Sequence, residues 1–217
     1  MSRGASQEAL DSVGVRSWIP LEESSPDKTF RKRFGSKGEK LNGVLIFPFW
    51  SPLGELLGFE ARGFPEKWIS DYRLRPDTRW LPIWISDKDA AEKLWKTGRC
   101  WLVEGSFDVF AMKWVVPPDE PIYGCVTAGL SFTQTRFLNR FAEHINTVFD
   151  RDDAGRKATR NTEKKFSFGT IKVDDIEYRG GKDPGEIWEA GGMDALIRAF
   201  PDVYAYRLSK EESEDGY

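Results

Sequence analysis

The sequence predicts an α/β protein, with a mostly parallel central sheet flanked by helices and a smaller mixed α+β subdomain in front of it. Two observations carry this. From residue 100 onward, short apolar runs alternate with segments of helical spacing, which is the pattern of βαβ units. Before that, two runs rich in Val, Ile, Leu and Phe flank a Pro-Gly turn, the pattern of an antiparallel hairpin.

Residues 1–27 read as a lead-in with one short helix near Gln7–Val13. Residues 28–99 form the N-terminal basic subdomain. It opens with Lys28–Lys40, KTFRKRFGSKGEK, which carries six basic residues and one acid. Such a run is either a solvated loop or a phosphate-contacting arm. Strands follow at Gly43–Phe49 and Leu56–Ala61, joined by Ser51-Pro52-Leu53-Gly54. Residues 62–99 read as irregular, with Trp68, Trp80, Trp84 and Trp95 among basic residues; most of these Trp side chains are expected in the core. Residues 100–208 form the second unit. Its expected strands are Cys100–Val103, Ile122–Val126, Ile145–Phe149 and Gly169–Val173. Its expected helices are Ser106–Trp114, Ser131–His144, Ala154–Phe166, Pro184–Ala190 and Met193–Phe200. Residues 209–217 read as an acidic, disordered tail.

Composition narrows the chemistry. With 217 residues the chain holds one or two domains and can bury a core. A net charge of −3 excludes a strongly basic, histone-like nucleic-acid binder but leaves room for a local basic groove. Two cysteines and one histidine cannot build a Cys-rich zinc site. Cys100 and Cys125 read as core strand residues, and His144 as a cation at a helix C-terminus. The densest apolar stretch, Val44–Trp50, is far too short to span a membrane. Residues 1–12 lack the apolar region of a secretory signal, so a cytoplasmic protein with reduced thiols is expected. Carboxylates must carry the chemistry.

Three acidic clusters sit at corresponding strand ends: Glu104-Gly105 with Asp108, then Asp150-Arg151-Asp152-Asp153, then Asp183-Pro184-Gly185-Glu186. In an open α/β sheet, ligands bind outside the carboxyl ends of the strands. Asp150 and Asp152 are two apart, so their side chains point the same way in extended chain, while Asp153 points elsewhere and caps the next helix. Any one of these acids is a helix cap about as often as a ligand. Gathered together they repel unless cations neutralise them, and hard oxygen donors select Mg²⁺ or Mn²⁺.

The order and context of these clusters resemble the Toprim superfamily. WLVEGSFDVFAMKW, residues 101–114, is similar to its first motif, and VFDRDDAGRKA, residues 148–158, to its second. VTAGLSFT, residues 126–133, and GGKDPGE, residues 180–186, resemble the small-residue segment and third acidic motif of DnaG-type primases of bacteria and phages. LIFPFWSPLGELLGFEAR, residues 45–62, resembles the hairpin of the primase N-terminal subdomain, whose pattern reads GFGGR where this chain has GFEAR. The resemblance implies a Toprim fold and RNA primer synthesis on single-stranded DNA. It implies Glu104, Asp150 and Asp152 as central acids, with Asp108 and Asp183 supporting two or more Mg²⁺ or Mn²⁺ ions and no zinc. It implies nucleic-acid or nucleotide contacts from Arg31, Lys32, Arg33, Arg62, Lys67, Trp68 and Arg156. The implied partners are single-stranded DNA, ribonucleoside triphosphates, and a helicase or zinc-domain protein acting in trans. A Toprim nuclease uses the same acids and metals and is the alternative; a non-catalytic binding subunit is a third. A pure binder gains nothing from clustered negative charge beside phosphates. A topoisomerase needs a nucleophilic Tyr on a further large domain, which this length does not accommodate.

Overall fold

The computed structural model describes residues 16–17, 45–62, 69–73, 82, 84–125 and 129–214. Its strands are β1 (Arg16–Ser17), β2 (Leu45–Trp50), β3 (Leu56–Arg62), β4 (Ile69–Arg73), β5 (Trp84–Ile85), β6 (Arg99–Val103), β7 (Ile122–Cys125), β8 (His144–Val148) and β9 (Lys172–Asp175). Its helices are α1 (Ala90–Thr97), α2 (Ser106–Met112), α3 (Phe132–Phe141), α4 (Asp153–Phe166), α5 (Pro184–Ala199) and α6 (Pro201–Glu214). Among the described residues no helix is long and apolar enough to cross a membrane.

The hairpin forms where the Pro-Gly turn places it. Ser51 closes the turn, its hydroxyl accepting from the amides of Leu53 and Glu55 at 3.1 Å each. Gly54 has φ 72°, a left-handed conformation that costs glycine nothing. β2 and β3 then pair antiparallel, with Phe47 opposite Glu60.

The strands of the described residues make one sheet in the order β4-β3-β2-β5-β7-β6-β8-β9, with β1 beside β2. β6 pairs parallel with both β7 and β8, and β8 with β9. The two-residue β5 runs antiparallel to β2 on one side and β7 on the other, splicing the hairpin onto the parallel half. β6 shows how the centre of the parallel half is packed on both faces. Cys100 and Leu102 face one hydrophobic cluster, with helix residues Leu94, Leu138 and Phe166. Trp101 and Val103 face the other, with Val109, Ile187 and Val203. Cys100 to Val103 are all buried whichever way they point, because helices cover both faces.

Several local expectations change. Residues 62–99 hold β4, β5 and α1. Trp84 is buried in the core, whereas Trp95 lies on the outer face of α1 with 77 % of its surface exposed. His144 does not end a helix; it opens β8, 2.7 Å from Asp174 and 2.6 Å from Arg99. The chain from Pro201 to Glu214 is helical, so residues 209–214 are no disordered tail. Amphipathic packing explains this: Val203 is buried, and Arg207 donates to the carbonyls of Lys113 and Val116. α5 breaks at Gly191 and Gly192, as the two short helices of the sequence pattern suggest. The helix expected near Gln7–Val13 lies outside the described residues.

Candidate active site

The parallel register between β6 and β8 sets the site. Val103 lies beside Val148, so the two strands end level with one another. The next residues out are therefore neighbours: the Asp150 amide donates to Glu104 Oε1 at 3.2 Å. Burial and the nearby Asp150 charge raise the Glu104 pKa above its ordinary value.

Asp150 and Asp152 do point the same way. Both carboxylates meet the Lys182 ammonium, at 2.9 and 3.0 Å. Asp152, not Asp153, caps α4, accepting from the Gly155 amide at 2.9 Å. That bond and Lys182 hold its pKa below the ordinary carboxylate range. Asp153 stands in the first turn of the helix, paired with the exposed Arg156 at 2.6 Å. The glycine of the Asp-x-Asp-x-Ala-Gly segment is a packing requirement. A Cβ on Gly155 would stand 2.0 Å from the Asp150 carbonyl oxygen, so only glycine lets α4 start this close beneath the acid.

The loop carrying Lys182 is pinned by its backbone. The Lys182 carbonyl accepts from the Arg151 amide at 2.8 Å, and its amide donates to Glu186 at 2.5 Å. The Tyr178 hydroxyl lies 2.8 Å from the Lys182 carbonyl and 3.0 Å from that of Phe149, tying the loop to the end of β8. Asp183 caps α5, accepting from the Glu186 amide at 2.6 Å.

Asp108 faces inward. It is 6 % exposed, and its two oxygens accept from the amides of Gly105 at 2.8 Å and Gly185 at 3.1 Å. One side chain thus joins the start of α2 to the start of α5. Burial, reinforced by Asp183, pushes its pKa up to about 7 despite the two amide donors.

Arg62 reaches the site from β3. Its guanidinium packs over the Phe107 ring at 5.3 Å and bonds Glu60 at 2.5 Å. Glu60 is buried and also accepts from the Ser106 hydroxyl at 2.7 Å. Of the other residues expected to contact nucleic acid, Arg31, Lys32, Arg33, Lys67 and Trp68 lie outside the described residues. Sequence reasoning did not single out Lys182, Glu60 or Tyr178. Lys182 had a signal, as the cation directly before Asp183 in the third acidic motif; Glu60 had one in standing where the resembled hairpin carries glycine.

Three comparisons place this geometry. Residues 101–188 match the Toprim-like family. Within that segment Glu104 and Asp150 lie where β6 and β8 end. The chain is 27% identical over 160 residues to the DNA primase of Aquifex aeolicus (strain VF5), covering 71% of this chain and 31% of that protein. The RNA polymerase domain of Mycobacterium tuberculosis primase DnaG, solved with double-stranded DNA, superposes with a TM-score of 0.65 at 22% identity, covering 94% of this chain and 70% of that one. A DnaG primase catalytic domain bound to single-stranded DNA gives a TM-score of 0.64 at 15% identity, covering 96% and 68%. The chain has the fold of a DnaG-type primase catalytic core, and its similarity to the Toprim-like family lies in residues 101–188. It spans about three tenths of the length of the curated relatives it matches.

Toprim-type primase cores generally use divalent metals, and the donor set here fits one. Asp150 and Asp152 already converge on one cation, the Lys182 ammonium, through hard oxygens. Among the described residues no group of three His, Cys, Asp or Glu side chains is gathered tightly enough to enclose an ion.

Proposed function

We propose that this chain is the catalytic core of a DNA primase, which joins ribonucleotides on a single-stranded DNA template. One observation carries the reading: the level ends of β6 and β8 set Glu104 against Asp150, with Asp150 and Asp152 sharing one cation. Asp150 and Asp152 would hold Mg²⁺ or Mn²⁺, which lowers the pKa of the primer 3′-hydroxyl and neutralises triphosphate charge. Glu104, with its raised pKa, is suited to take that hydroxyl's proton or to complete the ion's ligands. Asp108 and Asp183 support them by fixing the starts of α2 and α5. Arg62 and Arg156 offer positive charge to phosphates. The basic run containing Arg31, Lys32 and Arg33, with Lys67 and Trp68, takes the template strand by phosphate contact and stacking. The setting is the cytoplasm of a bacterial or phage-infected cell, with a helicase or a zinc-domain protein as partner in trans.

The test is direct. The protein is incubated with single-stranded DNA, labelled nucleoside triphosphates and Mg²⁺ or Mn²⁺, and extension and degradation are followed separately. Labelled oligoribonucleotides that Asp150→Asn abolishes support primer synthesis. Template degradation with no extension moves the chain to the nuclease class. Extension of a supplied primer end should exceed initiation, because two cysteines and one histidine cannot rebuild a zinc module within this chain.

A further inference from the structure

We propose that Lys182 is a tethered counter-ion: its ammonium holds the Asp150–Asp152 pair until a divalent cation displaces it, and then carries its charge to the phosphates of the incoming nucleotide. The inference rests on the cation role of the two aspartates proposed above and adds a competitor built into the chain.

Three features of the loop support it. The ammonium is within 3.0 Å of an oxygen of each carboxylate, so it occupies the point where their negative potentials overlap. A divalent ion bound by both carboxylates needs that same point, and two cations cannot share it. The side chain is 51 % exposed, so it has an open route away from the pair. The backbone, by contrast, is held by the Arg151 amide, the Tyr178 hydroxyl and the Glu186 carboxylate. Displacement therefore moves the side chain and leaves the loop in place. The freed ammonium remains on its four-carbon stem beside the ion, where triphosphate oxygens gather. Such an exchange needs no change of fold and no proton transfer. Without a divalent ion, the ammonium offsets repulsion between two carboxylates that lie two residues apart.

The experiment compares wild type, Lys182→Met, Lys182→Arg and Asp150→Asn, each as the full chain, by titrating Mn²⁺ calorimetrically without nucleotide or DNA. Lys182→Met should bind Mn²⁺ about five- to tenfold more tightly than wild type, since a half-exposed ion pair is a modest competitor. Lys182→Arg retains a cation and should stay near wild type. Without Mn²⁺, Lys182→Met should melt at a lower temperature than wild type, and saturating Mn²⁺ should close that gap. Affinity that Asp150→Asn abolishes but Lys182→Met leaves unchanged or weakens overturns the exchange and leaves the cation site standing. Mn²⁺ binding that ignores Asp150→Asn, or no binding by any variant, overturns the cation site and the exchange together. Circular dichroism of each variant separates these outcomes from misfolding.

Discussion

Two carboxylate regions at the same edge of the sheet have opposite fates. Asp108 is enclosed, with each oxygen spent on a backbone amide from a different helix start. Asp150 and Asp152 instead face the ammonium of the half-exposed Lys182 side chain, at 2.9 and 3.0 Å. On the reading proposed above, the first acid is a bracket and the second pair a receptor, although the sequence presents all three in acidic clusters that follow a strand. The difference lies in the partner. Backbone amides cannot leave, whereas an ammonium on a flexible stem can.

The sharpest way to break this comparison is to remove the bracket. Asp108→Ala leaves the buried Gly185 amide and the half-buried Gly105 amide without their acceptor and should cost on the order of 3 kcal/mol, read as a lowered urea midpoint. Asp150→Asn should leave that midpoint near wild type or raise it when no cation is present, because it relieves repulsion. Equal losses in the two variants would erase the distinction.

Acid titration separates Asp108 from Asp152 by sign, while burial raises the Asp150 pKa as it does that of Asp108. The folded-state pKa of Asp108 is raised from 3.8 to about 7, so the folded protein holds that proton more tightly than the unfolded chain. Its contribution is therefore fully present below about pH 4 and is lost as pH climbs toward 7. Asp152 is shifted the other way, by the Gly155 amide and Lys182, and contributes above its ordinary pKa, losing that contribution on acidification. Unfolding free energies across pH 4–7 should slope less in Asp108→Asn than in wild type. An unchanged slope would mean that another group titrates there.

Cation affinity tests the receptor. Asp150→Asn should weaken Mn²⁺ binding about tenfold or more by calorimetry, while Asp153→Asn, whose carboxylate turns to solvent, should not. A smaller effect is expected at Glu60, which orients Arg62 from beneath the site. Glu60→Gln keeps an acceptor for Ser106 but loses the ionic tether. Single-stranded DNA affinity should drop a few-fold at a stability cost of about 1 kcal/mol. A drop in stability with unchanged affinity would make Glu60 purely structural. The smallest effect is at Arg156: Arg156→Ala should leave the melting temperature unchanged and lower the salt slope of single-stranded DNA binding by about 0.7.

Much of this molecule is legible along the chain. The parallel half reads clearly because a strand buried on both faces is a short apolar run, as at Cys100–Val103 in β6. The hairpin reads clearly because Pro52 and Gly54 have turn chemistry of their own. α1 hides inside a basic, Trp-rich stretch, where composition suggests a surface and the structure buries Leu94 while exposing Trp95. α6 hides in an acidic segment whose helicity depends on packing Val203 and on Arg207 reaching the carbonyls of Lys113 and Val116. His144 looked like the end of a helix because no local signal separates the last turn of α3 from the first residue of β8.

By itself the sequence determined the alternation of elements, the hairpin, and the position of acids at strand ends, since each depends on spacing and turn residues within a few positions. Tertiary structure alone decided which acids are enclosed and which are open. Asp108 finds its second donor in Gly185, 77 residues away, and Glu60 meets Ser106 across 46. A carboxylate's burial, pKa and role depend on whatever the fold brings against it, and those neighbours come from distant strands through the register of the sheet.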